Sequence, residues 1–199
     1  MVQSAQYEPP RFTYADYLQW SDAERWELVN GEAFCMTPAP TTTHQRVVLE
    51  IGTQLRGLLR GHKCEAFIAP FDVRFCEPGT PDEEVRDILQ PDIVVVCDPK
   101  KIDERGCKGA PDFIVEITSP STSARDKTVK LGVYEKYGVR EYWIVDLQTK
   151  LVSVYLFDAA SGRYAPPSVL EMQGKRAVVA LAGLEVDLDE VLAESKVGE

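Results

Sequence analysis

The sequence predicts an α/β domain in which a mixed central β-sheet is flanked by helices. Three observations carry that expectation. Residues 43–60 repeat apolar side chains at helical spacing, and two short apolar runs, QPDIVVVCD and PDFIVEIT, read as buried strands. After the second run, helical spacing returns before two further strand-like runs. Helix, strands, helix and strands in that order pack most simply as helices laid on the faces of a sheet.

Along the chain, residues 1–11 read as a polar arm and residues 12–199 as one domain. Thr13 can cap a short helix from Tyr14 to Trp20, with Asp16 completing a capping box. In WELVNGEAFCM, apolar residues flank Asn30-Gly31, a pair that accepts positive φ and closes two-residue hairpins; Glu32 opens the second strand. His44, Val47, Val48, Ile51, Leu55 and Leu58 form one stripe of the long helix, which Gly61 ends. CEAFIAP and FDVRF are short strands, EPGTPDEEVRD is an exposed loop, and QPDIVVVCD is a strand entered through Pro91. KKIDERGCKGA is a polar connection to the strand GAPDFIVEIT. Ser121 or Ser123 then caps a helix reaching Tyr137, and Gly138 suits its left-handed C-terminal position. EYWIVD and LVSVYLF pair through LQTK, GRYAPPS and KRAVVALAG give late edge strands, and Asp187 to Ser195 a final helix.

With 44% hydrophobic residues in a chain of 199, a core can form without metals or cross-links. A net charge of −10, from 22 basic and 32 acidic residues, repels polyanions at long range. Nonspecific coating of nucleic acid is therefore not expected, and such a partner must be met by a local basic groove or a bound cation. Cys35, Cys64, Cys76, Cys97 and Cys107 show neither a CxxC pair nor zinc-ligand spacing; they are expected to be reduced thiols, mostly buried, in a cytoplasmic protein. No leader pattern opens the chain and no apolar run approaches the roughly 20 residues of a membrane helix. Phosphate-loop, GxGxxG, GxSxG and HExxH patterns are also missing, which removes nucleotide-dependent, hydride-transfer, serine-hydrolase and zinc-protease chemistry.

Two carboxylates stand where apolar residues are expected. In the strand FIVEIT, Phe113, Val115 and Ile117 point one way and Ile114, Glu116 and Thr118 the other, so Glu116 lies on a face that a helix should cover. Asp92 opens the run IVVV in the same exposed-to-apolar conflict. A buried carboxylate must be paired, protonated or bound to a metal; two neighbouring ones suit a hard cation with oxygen ligands. On the next helix Asp126, Val129, Lys130, Val133, Tyr134 and Tyr137 share one stripe, which turns Lys130 inward toward the acids. Carboxylates, a divalent cation and a lysine together suit phosphodiester hydrolysis. Plainer roles stay open: strand-end acids that cap backbone or pair with arginine, Lys130 as an exposed partner of Asp126, and His44 as a structural or supporting residue.

These residues resemble a known family. Pro91-Asp92, followed 24 positions later by Glu116 in VEIT, is similar to the bipartite motif of the PD-(D/E)XK nuclease superfamily. The Asn30-Gly31-Glu32 turn, His44 at the head of a helix, QPDIVVV, VEITSPST, the Asp126–Lys130 pair and GVREYWIVD together resemble the Uma-type restriction endonucleases, a domain of unknown function, from about Phe12 to Leu184. The resemblance implies a restriction-endonuclease-like fold, Mg²⁺ or Mn²⁺ held by Asp92 and Glu116, and endonucleolytic hydrolysis of nucleic acid, DNA in the first instance. The superfamily's usual lysine, two positions after the second acid, is replaced by Thr118; this branch carries it on the helix as Lys130. Glu32 and His44 match further recurring polar positions and join the candidate catalytic residues. A homodimer is expected, with exposed aromatics around GVREYWIVD as its surface and two sites for the two strands of a duplex. The alternative is a nucleic-acid-binding or regulatory module that retains the nuclease fold without catalysis.

Overall fold

The computed structural model describes residues 10–21, 24–36, 39–118, 126–181 and 183–196. Most of the N-terminal arm, and the Ser121 and Ser123 caps, lie outside the described residues. Helix α1 (Tyr14–Tyr17) opens on the expected capping box, Thr13 N–H donating to the Asp16 carboxylate at 2.8 Å, but it ends after one turn. Strands β1 (Trp26–Val29) and β2 (Glu32–Cys35) form the hairpin, turning on Asn30 and Gly31 at φ 49° and 78°. A side chain at position 31 would also stand 2.9 Å from the Phe12 carbonyl oxygen, so glycine is needed there. Helix α2 (Thr42–Leu58) starts where the Thr41 hydroxyl accepts the His44 N–H, and it buries His44, Val47, Val48, Ile51 and Leu55 as one stripe.

The remaining strands are β3 (Glu65–Ile68), β4 (Val73–Phe75), β5 (Asp87–Leu89), β6 (Ile93–Val96), β7 (Ile102–Asp103), β8 (Gly106–Lys108) and β9 (Phe113–Thr118). A π-helical turn, Asp126–Lys130, runs into α3 (Leu131–Lys136). Then follow β10 (Glu141–Asp146), β11 (Leu151–Asp158), β12 (Arg163–Tyr164), β13 (Ser168–Glu171), β14 (Lys175–Val178), β15 (Leu184–Asp187) and α4 (Leu188–Ser195).

Where one central sheet was expected, two main sheets and a small hairpin form. One has the order β2-β1-β5-β4-β8-β7; the other runs β12-β11-β10-β9-β6-β3, with β13 also on β11, and β14 pairs β15. Both main sheets are mixed, with β4 parallel to β8 and β9 parallel to β10. On one face of the larger sheet, Ile93, Val95, Phe113, Val115, Ile117 and Trp143 pack with Val47, Ile51 and Leu55 of α2 and Val191 of α4. On the other, Val94, Val96, Ile114 and Ile144 meet Val133 and Tyr134 of α3 and Val73, Phe75 and Leu89 of the smaller sheet. The larger sheet is thus sandwiched between a helical layer and a layer of sheet plus helix.

The structure corrects four local expectations. EPGTPDEEVRD and KKIDERGCKGA, read as loop and connection, contribute to β5, β7 and β8: Val85 and Ile88 pack with Tyr14 and Leu28, and Asp87 is buried because Lys136 and Tyr137 donate to it at 2.7 and 2.8 Å. Strands of two or three residues carry too few side chains to show a period of two. Cys64 and Cys97 are not reduced thiols. They flank the β3–β6 pairing, beside Glu65↔Val96, and are joined as a disulfide, while Cys76 and Cys107 are buried thiols and Cys35 an exposed one. Tyr142 and Trp143 of GVREYWIVD are fully buried, because β10 lies inside the larger sheet between β9 and β11, and so offer no exposed aromatics to a second subunit. Val129, placed on the inward stripe of the following helix, is exposed; the wider π-helical turn shifts the face and keeps Lys130, Val133 and Tyr134 inward.

Candidate active site

Strands β6 and β9 run antiparallel with Ile93 opposite Val115 at the end of the ladder, and Asp92, the residue before β6, meets β9 at the peptide between Glu116 and Ile117. The alternation expected in FIVEIT holds. Phe113, Val115 and Ile117 pack toward α2, leaving Glu116 on the side of Ile114, between the two sheets and under α3.

Glu116 is 3% exposed, and its Oε1 accepts hydrogen bonds from Lys130 Nζ at 2.8 Å and the Tyr134 hydroxyl at 2.7 Å. Burial, then the Glu116 charge, pushes the Tyr134 phenol well above its ordinary range, so it stays protonated and donates. Lys130 is itself buried, and its ammonium also lies 3.2 Å from Oε1 of Glu27, a fully buried residue of β1. Glu27 Oε1 further accepts the Gln90 N–H at 2.9 Å. One lysine therefore ties an acid of the smaller sheet to an acid of the larger one. This placement replaces the reading of Lys130 as an exposed partner of Asp126, whose side chain lies outside the described residues.

Asp92 is fixed from two other elements. Its Oδ2 accepts the Ile117 N–H at 2.7 Å, next to Glu116 along β9, and lies 3.1 Å from His44 Nε2 at the head of α2. His44 thus orients Asp92 from the helical layer. Thr118, at the position where the superfamily carries its lysine, is 1% exposed, and its hydroxyl has no hydrogen-bond partner among the described residues. Glu32 sits apart at the exposed hairpin, where Arg11 holds it at 3.2 Å.

The structure brings Glu116 and Lys130 together, and Asp92 and His44 together, and joins the pairs through adjacent strands. Sequence reading missed Glu27 and Tyr134. Glu27 carried the same signal as Glu116, an acid inside the apolar run WELV, but in a strand of only four residues. Tyr134 was read as core, which it is; its hydroxyl partner came from a strand and could not be read from helical spacing.

The donor set fits the divalent cation that the motif implies. Asp92 and Glu116 offer hard oxygen ligands from neighbouring points of the β6–β9 pair, and among the described residues no group of three or more histidine, cysteine, aspartate or glutamate side chains is placed to hold a metal. Two carboxylates suit Mg²⁺ or Mn²⁺, since Mg²⁺ commonly keeps several waters and takes only one or two carboxylates from protein. Among the described residues no helix is long and apolar enough to cross a membrane.

Comparisons with known proteins agree with this architecture. A crystal structure of a "putative nuclease belonging to DUF820" from Anabaena variabilis superposes with a TM-score of 0.72 over 92% of this chain and 99% of the other, at 20% identity. That likeness shows a shared restriction-endonuclease-like fold. An uncharacterised protein of Synechocystis sp. is 26% identical over 149 residues, covering 73% of this chain and 74% of its relative. The family model described as "Uma2: Putative restriction endonuclease" matches residues 14–189, a span that holds every residue of the buried cluster, and the chain belongs to that family.

Proposed function

We propose that this protein is a metal-dependent endonuclease that hydrolyses phosphodiester bonds in nucleic acid, DNA first, with Asp92 and Glu116 as ligands to Mg²⁺ or Mn²⁺. The observation that supports this most is that Asp92 Oδ2 accepts the Ile117 N–H at 2.7 Å, the peptide that follows Glu116, while a buried lysine lies on Glu116 itself. When bound, such a cation polarises a phosphoryl oxygen and lowers the pKa of coordinated water. Asp92 would hold it with a carboxylate oriented by Ile117 N–H and His44; Glu116 would do so while Lys130 and Tyr134 anchor one of its oxygens. Lys130 offsets the repulsion between neighbouring acids and supplies positive charge near the phosphoryl group. The chain's net charge of −10 makes a cation at the site the natural anchor for a phosphate. Glu32, paired with Arg11, is assigned an outlying role.

The proposed compartment is the cytoplasm, where the Cys64–Cys97 bridge would stand as an exception to the reduced thiols usual there, and the proposed assembly is a homodimer, since one site cuts one strand of a duplex. Light scattering that returns a monomer mass at micromolar concentration would remove the dimer. A non-catalytic nucleic-acid-binding module is the second reading, supported by the Glu27–Lys130–Glu116 cluster, which is also a sound way to clamp two sheets together. Supercoiled plasmid separates the two. Nicking and linearisation with Mg²⁺ or Mn²⁺, and none in EDTA, supports the nuclease; no cutting with any divalent metal leaves the binding module.

A further inference from the structure

A second polar feature lies one residue away from the acid cluster. Gln90 turns its backbone N–H to Glu27 at 2.9 Å, while its buried side chain donates to Asp72 Oδ1 at 2.7 Å. The loop before Asp72 is tied to the same place, because Ala69 N–H donates to the Asp92 carbonyl at 3.0 Å. Between them opens a cavity of about 380 Å³, within the roughly 300–1,000 Å³ of small-ligand pockets. Phe67 and Phe71, stacked with centroids 4.2 Å apart, contribute an aromatic wall, and Asp72 and Gln90 contribute the polar groups.

Gln90 is fully committed. Its Oε1 accepts two bonds from Arg25, at 2.9 and 2.6 Å, and its Nε2 gives one to Asp72 and one to the Tyr17 hydroxyl. Tyr17 in turn donates to Asp72 Oδ1 at 3.4 Å. Both donors fall on Oδ1, and Oδ2 accepts no hydrogen bond from the described residues, which leaves a fixed acceptor oxygen on a residue that lines the cavity. Around it Asp103 pairs with Arg74, Arg105 lies 3.5 Å from Asp82, and exposed Glu104 adds negative charge, so the lining does not attract a phosphate and the strand's anchor stays the cation proposed at Asp92 and Glu116.

We propose that this cavity receives one unstacked nucleobase of the substrate strand and, through Asp72, favours a base with an exocyclic amino group, adenine, cytosine or guanine, over thymine. An aromatic wall accepts the face of any base, whereas a carboxylate accepts a hydrogen bond from an amino group such as adenine N6, cytosine N4 or guanine N2, and thymine, with no amino group, flanks its single edge N–H with two keto oxygens that repel the carboxylate. The inference rests on the nuclease reading of the neighbouring acids, and adds to it a reason for where the chain would cut.

Asp72→Asn tests this with little change of shape. Oδ1 remains the acceptor for Gln90 and Tyr17, and an amide NH₂ replaces the open oxygen, turning acceptor into donor. Binding of fluorescein-labelled twelve-nucleotide dA, dC and dT strands is measured by anisotropy with Ca²⁺ in place of Mg²⁺, so that a hard cation is present to anchor the phosphates, and a denaturing gel checks that the strands stay intact. Wild type is expected to bind the dA and dC strands about fivefold or more tighter than dT, and Asp72→Asn, checked for an unchanged melting temperature, to lose or reverse that order. Phe71→Leu is expected to weaken all three alike. Equal affinities in wild type, no binding of any strand, or an unchanged preference in folded Asp72→Asn overturns the pocket. Plasmid cutting without base preference leaves the nuclease reading standing and removes only the pocket; base preference without cutting in any divalent metal does the reverse.

Discussion

Replacing Lys130 with methionine isolates the electrostatic part of the site. Methionine keeps much of the lysine stem's volume and flexibility, so the loss of packing is small. What disappears is the ammonium 2.8 Å from Glu116 and 3.2 Å from Glu27, carboxylates that are 3% and 0% exposed. Both bonded the same nitrogen, so they are left as neighbouring buried charges with their shared partner gone. Removing one member of a buried ion pair costs about 3–5 kcal/mol, a large part of the roughly 5–15 kcal/mol that holds a domain together. Urea denaturation followed by far-ultraviolet circular dichroism measures the loss directly. Adding Glu27→Gln to Lys130→Met is expected to recover part of it, since one of the two stranded charges is gone; the double-mutant cycle then reports the coupling. A loss below about 1 kcal/mol for Lys130→Met, or a double variant less stable than the single, would refute the cluster as described.

Three further outcomes follow from other contacts. Tyr134→Phe deletes a donor on Glu116 Oε1 and is expected to cost about 1–3 kcal/mol together with a fall in metal-dependent cleavage; an unchanged melting curve counts against it. Glu32→Ala breaks a pair whose side chains are 42% and 40% exposed, so stability is expected to move by less than about 1 kcal/mol and cleavage not at all. A large loss of cleavage there would return Glu32 to the catalytic group. Burial raises the Glu141 carboxyl above the usual range against the hydrogen bonds from Ala180 and Trp143. Its contribution to stability is fully present below the ordinary glutamate value of about 4.3 and is lost as pH rises through the raised folded value. Glu141→Gln is expected to flatten that part of the stability–pH curve, and a curve parallel to wild type would contradict the assignment.

What the sequence made legible is what local chemistry determines. The Thr13–Asp16 box, the Asn30-Gly31 hairpin and the α2 stripe all depend on neighbours within a turn or two. Glu116 could be found because an acid breaking an alternating apolar run is visible without any partner, and Lys130 because the spacing to Val133 and Tyr134 held across the π-helical turn. Glu27 escaped although its run carried the same contradiction, and only the facing of two sheets explains its burial. The Cys64–Cys97 bridge, the short strands β5, β7 and β8, and the depth of Tyr142 and Trp143 depend on which distant strands become neighbours. Pairing between segments far apart in the chain has no local periodicity to announce it. The meeting of Asp92 with the peptide between Glu116 and Ile117 is likewise a tertiary fact, and the alternation within each strand only permitted it.

The claim that Asp92 and Glu116 together hold the reactive cation is tested most directly by locating that cation. Crystals soaked in Mn²⁺ give an anomalous difference map in which the ion reports its own position. The expected result is one peak at oxygen-coordination distance from both carboxylates, about 2.0–2.6 Å for hard divalent cations, absent from Glu116→Gln crystals soaked identically. A strong peak bound elsewhere, or one that persists unchanged without the Glu116 carboxylate, would contradict the account.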